Sequence, residues 1–296
     1  MVKDQINQKN RSWLIGLFFS ALSVFFLIAF IFWTATPYFQ MKIYFKNRKD
    51  ENLDQIMNSN FIFSPMTYAQ MFIRKDILLH MTVIPTNKSN KVLFDKSISQ
   101  MEELLDYSRF QPYYYLLLSG AYTKSAIISN NPSFLKLAED SYKKALELSP
   151  KQQKIYYAYG QFLLDQHRES HAREILKQAL DFAPEAPLSN FHLGLAEMTS
   201  GQSFYAEALD HMEVFFESDF PVNFENHFLN PDPGWIRSQD AYKKLLAYFY
   251  DKKDKEKVLI IAKRLSELDK SQSAAYGKVA KIISDTGQIP VIEFTK

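Results

Sequence analysis

Ala138, Ala145 and Pro150 return 34 residues later as Ala172, Ala179 and Pro184, and Gly160 returns as Gly194 in the same phase. Tyr142 is answered by Leu176, Leu148 by Phe182 and Tyr159 by Leu193, while Tyr242 and Leu246 return as Tyr276 and Ala280. A fixed period of this length marks a chain built by stacking one supersecondary unit, and it excludes most other architectures at once. The residue types say what the unit is. Small residues one or two turns apart (Ala138 and Ala145, Ala172 and Ala179) let a second helix approach a first closely. Gly120, Gly160, Gly194 and Ala280 make room on that first helix, with Tyr156, Tyr159, Leu193 and Tyr276 filling the space beside them. Pro150 and Pro184 close the second helix, because proline disfavours helical geometry in the residue before it and has no amide proton to donate. Each unit is then a helical hairpin with one apolar face, which a single unit cannot bury.

Four such units and a trailing helix can be counted between residues 111 and 288. The first pairs 113–126 with 134–150, with extra residues around Asn130 expected to lengthen its turn. The second, from Gln153 to about Ala186, is the most regular. The third is two residues longer, since Ala172 and Ala208 are 36 apart, and the insertion falls after Gly201. Residues 219–234 read as a loop stiffened by Pro221, Pro231 and Pro233. The fourth unit spans 240–270, with Val258 in place of a small residue, and 271–288 is an opening helix without a successor.

"AREILKQALDFAP" (172–184) and "NFHLGLAEMTSGQ" (190–202) resemble tetratricopeptide repeats. That resemblance covers about 60% of the chain and implies a fold more than a function. Taken with the apolar segment described next, it gives an all-α chain, one N-terminal transmembrane helix followed by an α-solenoid of tetratricopeptide-type hairpins. A single apolar span, a short helical region and degenerate repeats also resemble the C-terminal part of bacterial O-antigen ligase and polymerase-like membrane proteins. The resemblance implies a bacterial origin, and either a truncated relative or a separate subunit, but no residue matches that family's catalytic loop.

No charge occurs from Ser12 to Met41, and Trp13 to Trp33 would span roughly 31 Å as a helix, at about 1.5 Å per residue. Trp13, Trp33, Tyr38 and Tyr44 lie where aromatic rings favour lipid headgroups, and Lys9, Arg11, Lys42 and Lys46 bracket the run. The expected organisation is an N-terminal flank (1–12), a single transmembrane helix (13–35), a non-repeat juxtamembrane helical region (36–110), the repeat domain (111–288) and a tail (289–296). Within 36–110, helices are expected near 40–59, from Ser64-Pro65 to about His80, and from about Ser89 to Tyr107. The reading is a single-pass plasma-membrane protein. Basic residues are nearly balanced across the span and leave the side of the repeats open.

Chemistry is sparse. The 35 basic and 33 acidic residues give no bulk attraction for nucleic acid, and the absence of cysteine removes thiol nucleophiles, disulfides and thiolate metal sites. His167 and His171 have two-ligand spacing but fall on a turn without a third ligand, and His192 and His211 fit a helix face. No nucleophile elbow, phosphate loop or zinc-protease pattern occurs. The expectation is a scaffold and not an enzyme, with no cofactor, no metal and no nucleic acid, acting on a protein or peptide partner at the membrane; the alternatives are the repeat-bearing part or subunit of a ligase or polymerase-like surface-glycan assembly protein, and a single-span accessory to an envelope secretion or quality-control machine. The groove for it is expected on the opening helices, opposite the packing glycines: Tyr114 and Leu117, then Lys154, Tyr157, Gln161 and Leu164, then Leu188, Phe191, Leu195 and Met198. Such a face suits an apolar peptide or helix, from a partner or from the same chain, better than a carboxylate clamp.

Overall fold

The computed structural model describes residues 17–30, 91–218 and 233–291, with positions 13, 42 and 75. The helices expected near 40–59 and 65–80, the loop at 219–232 and residues 292–296 lie outside the described residues, positions 42 and 75 apart. Every regular element among the described residues is helical. The chain divides into two compact units, Met1–Ser149 and Pro150–Lys296.

In the first unit, residues 17–30 are helical, and among the described residues no helix is both long and apolar enough to cross a membrane. Of the expected span, 14–16 and 31–35 lie outside the described residues. Three helices follow: α1 (Lys91–Ser108), α2 (Pro112–Ser129) and α3 (Ser133–Leu148). Helix α2 packs against both neighbours. Phe94, Met101 and Leu104 of α1, Leu118 and Ala121 of α2 and Ala138 and Ala145 of α3 are buried to 1% exposure or less. The buried Tyr122 hydroxyl donates to Glu102, tying α2 to α1, and burial followed by that carboxylate drives the phenol's pKa well above its usual range. The extra residues of the first repeat do not lengthen its turn. They extend α2 by a further turn, to Ser129, and the chain reverses at Asn130 (φ 50°), where the amides of Asn130 and Asn131 both donate to the Ala126 carbonyl. Asparagine tolerates this left-handed geometry better than most residues, so it supplies the stop. Gly120 is half-buried.

The second unit holds α4 (Gln153–Asp165), α5 (Glu169–Phe182), α6 (Pro187–Ser200), a 3₁₀ turn (Gln202–Phe204), α7 (Tyr205–Glu217), α8 (Pro233–Asp251), α9 (Lys255–Leu268) and α10 (Ser273–Thr286). Helices pair as α4 with α5, α6 with α7 and α8 with α9, and successive opening helices also touch, α4 to α6 and α6 to α8. This is the hairpin stacking that the 34-residue period requires. Its cause is visible at the glycines: a β-carbon on Gly160 would lie 2.5 Å from Leu176 Cγ, and one on Gly194 would lie 2.7 Å from Met212 Cγ and 3.0 Å from the Ala208 carbonyl oxygen. Ala172, Ala179 and Ala208 have no exposed surface.

The prolines stop helices as their chemistry requires. Ser149 (φ −145°, ψ 74°) precedes Pro150 and Ala183 (φ −152°, ψ 81°) precedes Pro184, so the same break recurs 34 residues on. Each proline carbonyl is then held by the residue six positions later: Tyr156 Oη donates to Pro150 at 2.7 Å, and Asn190 Nδ2 donates to Pro184 at 2.9 Å. Different side chains thus perform one task at equivalent positions. The two-residue insertion after Gly201 is absorbed by the 3₁₀ turn, entered through Gly201 at φ 121°, a geometry that favours glycine. Phe204 of that turn lies under the Arg173 guanidinium at 3.8 Å.

Candidate functional site

Ten groove residues are expected from sequence, and the structure sorts them. Gln161 and Leu164 of α4 and Leu195 and Met198 of α6 meet around a depression of about 270 Å³, completed by Asp165, Thr199 and, from α8, Asp240, Ala241 and Lys244. The site therefore sits where the C-terminal ends of α4 and α6 approach α8. Leu195, Met198 and Ala241, each 6–8% exposed, form its floor; Asp165, Asp240 and Lys244 stand exposed at its rim.

The middle of the expected groove is closed. Phe191 is not a surface residue. Its ring lies 4.6 Å from Phe215 and 6.2 Å from Phe216, inside the core shared by α6, α7, α8 and α9, and Leu188 packs against that same core. The reason is crowding, since α6 touches α4, α5, α7 and α8 and keeps little free face except near its C-terminal end. Tyr157 spans from α4 to α6: its hydroxyl lies 2.7 Å from Ser189 Oγ and its ring stacks on His192 at 4.7 Å. Burial raises the Tyr157 phenol above its usual pKa, with the Ser189 hydrogen bond opposing. Lys154 is exposed at the other end of α4. Tyr114 and Leu117 belong to the first unit, where Leu117 is buried.

Sequence reasoning missed Asp165, Thr199, Asp240, Ala241 and Lys244. Asp165 and Thr199 follow Leu164 and Met198 directly, so a slightly wider stripe would have included them. Asp240 stands six residues before Leu246, as Leu188 stands six before Gly194, but the insertion between the third and fourth units hides that register.

The histidines have separate roles. His167 occupies a turn at φ 53° and is exposed, His171 lies exposed in α5, and among the described residues no group of three His, Asp or Glu could hold a metal ion. His211 of α7 is bound through Nδ1 to Glu197 Oε2 of α6 at 2.8 Å. That hydrogen bond, aided by the charges of Glu197, Asp210 and Glu207 and opposed by partial burial, lifts its pKa above the ordinary value of 6.5. A raised folded-state pKa means the contribution is complete below pH 6.5 and is lost as pH rises through the raised value. Unfolding free energy should therefore fall across that interval, and His211→Gln should flatten the slope in urea titrations run from about pH 6 upward.

No family profile and no curated protein matches the chain. Among solved structures it is similar to TTC0263, a tetratricopeptide repeat protein of Thermus thermophilus, at 18% identity over 64% of this chain and 95% of that one, with a TM-score of 0.43. It is also similar to YrrB, described as a tetratricopeptide repeat protein with an unusual peptide-binding site (15% identity, 71% and 90% covered, TM-score 0.42). A third is MamA (17% identity, 70% and 96% covered, TM-score 0.45). The resemblance to ligase and polymerase-like proteins is not carried by these comparisons.

Proposed function

We propose that the chain is a protein-binding scaffold tethered to a membrane, and that its second unit receives a segment of a partner protein in the depression between α4, α6 and α8. The observation that carries this reading is an apolar floor of buried side chains left open to solvent and ringed by exposed polar ones. At about 270 Å³ the depression falls below the ~300–1,000 Å³ usual for small-molecule and cofactor sites. It fits one or two side chains of a polypeptide.

Tethering is supported by the helix at 17–30. Phe18, Phe19, Phe25, Phe26 and Phe30 are each at least 60% exposed, apolar residues surround the helix on every side, and the Ser23 hydroxyl is turned back onto the Phe19 carbonyl at 2.8 Å. A helix apolar all round needs an apolar surrounding, and a hydroxyl satisfied within its own helix is compatible with one. Confinement to a surface raises the encounter rate with other membrane proteins. A photo-cross-linker at Leu164 should give one discrete adduct in cells and one at Lys177, away from the depression, none. Leu164→Glu in the folded protein should remove binding of the partner so captured. Equal labelling from both positions would refute this placement of the site.

A further inference from the structure

We infer that the groove between α7 and α9 is a second docking surface, and that it takes a basic amphipathic helix of a partner protein. The groove, of about 580 Å³, is built from closing helices and shares no residue with the depression between α4, α6 and α8, so a partner seated here does not depend on one seated there. Its floor is aliphatic: Leu209 is buried, Ile260 is half-buried, and Val214 stands 41% exposed on α7. Its walls are acidic. Asp210, Glu213 and Glu217 of α7 and Glu256 and Glu267 of α9 face Lys257, Lys263 and Arg264, all from α9, so the surplus is negative whichever pairs form among them. The inner charges already answer one another, since Glu213 and Glu267 both hold Arg264 and Lys257 lies over the Phe249 ring at 4.9 Å. His211, beside Asp210 in the chain, is held by Glu197. Exposed at the rim with Glu267 are then Asp210, Glu217 and Glu256 against Lys263, and among the described residues none of those last three carboxylates makes an ion pair.

Spacing fixes the form of the occupant. Asp210 and Glu217 stand seven residues apart on one side of α7, roughly 10 Å at about 1.5 Å per residue, with Val214 between them. A helix laid along α7 presents side chains i, i+3, i+4 and i+7 on one stripe. Lysine or arginine at i and i+7 then meets the two carboxylates, while aliphatic residues at i+3 and i+4 cover Val214 and Ile260. Such charges select the partner more than they hold it, and salt weakens them.

The test uses the full chain in neutral detergent and three fluorescein-labelled 14-residue peptides of alanine and glutamine. One carries lysine at positions 4 and 11 and leucine at 7 and 8. In the second, glutamate replaces both lysines; in the third, the leucines move to 6 and 9, on the face opposite the lysines. Anisotropy titrations at low ionic strength should favour the first over each of the others by roughly tenfold, and its margin over the glutamate peptide should shrink in about 0.5 M NaCl. Asp210→Lys with Glu217→Lys, both at exposed positions, should remove that margin without changing the circular dichroism spectrum. Glu185→Lys with Asp285→Lys, the same change in net charge at exposed positions outside the groove, should leave it. Equal affinity of the three peptides, no binding by any of them, or an equal loss in the two double variants overturns the docking surface. Displacement of the lysine peptide by calcium far more strongly than by NaCl of equal ionic strength overturns it too, and would give the carboxylates to a divalent cation. None of these outcomes moves the Leu164 cross-link, which tests the depression alone.

Discussion

Gly194→Leu should lower the midpoint of thermal unfolding by about 10 °C, from roughly 3 kcal/mol of overpacking at about 2–4 °C per kcal/mol for a domain of this size. A β-carbon alone would lie 2.7 Å from Met212 Cγ and 3.0 Å from the Ala208 carbonyl oxygen, and a backbone oxygen in a helix cannot swing aside as a side chain can. Gly160 is a milder case because its obstruction is the Leu176 side chain, at 2.5 Å from Cγ. There the double variant Gly160→Ala with Leu176→Ala should lose less than the sum of its parts, since the added methyl enters the space the leucine leaves. Circular dichroism melts at 222 nm measure both. An unchanged midpoint in Gly194→Leu would mean that α6 and α7 do not pack as described.

Glu213→Ala should cost about 3 kcal/mol, the scale of removing one partner from a largely buried ion pair. Glu213 of α7 receives Arg264 of α9, with Nη2 at 2.9 Å and Nε at 3.3 Å, and the fully buried Tyr242 of α8, whose hydroxyl donates at 2.6 Å. The guanidinium also lies 5.0 Å from the Phe216 ring centroid and reaches Glu267 at 2.6 Å. One carboxylate therefore fastens three helices, α7, α8 and α9. Tyr242→Phe, which removes only a donor, should cost about 1 kcal/mol. Denaturant midpoints distinguish the two, and equal losses would show that Glu213 serves Tyr242 alone.

How much of this was legible beforehand varies with the distance over which each feature is determined. Helix identity, the hairpin unit and the close-approach positions are local or periodic, so Gly160, Gly194, Ala172 and Ala179 could be assigned by counting. The task shared by Tyr156 and Asn190, each holding a proline carbonyl, was not legible, because a tyrosine and an asparagine do not look equivalent. Nor was the Glu213, Arg264 and Tyr242 cluster, whose members are separated by up to 51 residues.

The face that carries the depression shows the same division more sharply. Spacing along α4 and α6 determined which side of each helix turns away from its packing glycine, and that placed Gln161, Leu164, Leu195 and Met198 on one side. Only the tertiary structure decided that Phe191 closes into the core while Asp165, Asp240 and Lys244 come to edge the opening. A helix period reports direction around one axis, whereas exposure depends on how many neighbours crowd that axis. Around α6 four helices do so, and the packing of Phe215 and Phe216 across it follows from no repeat.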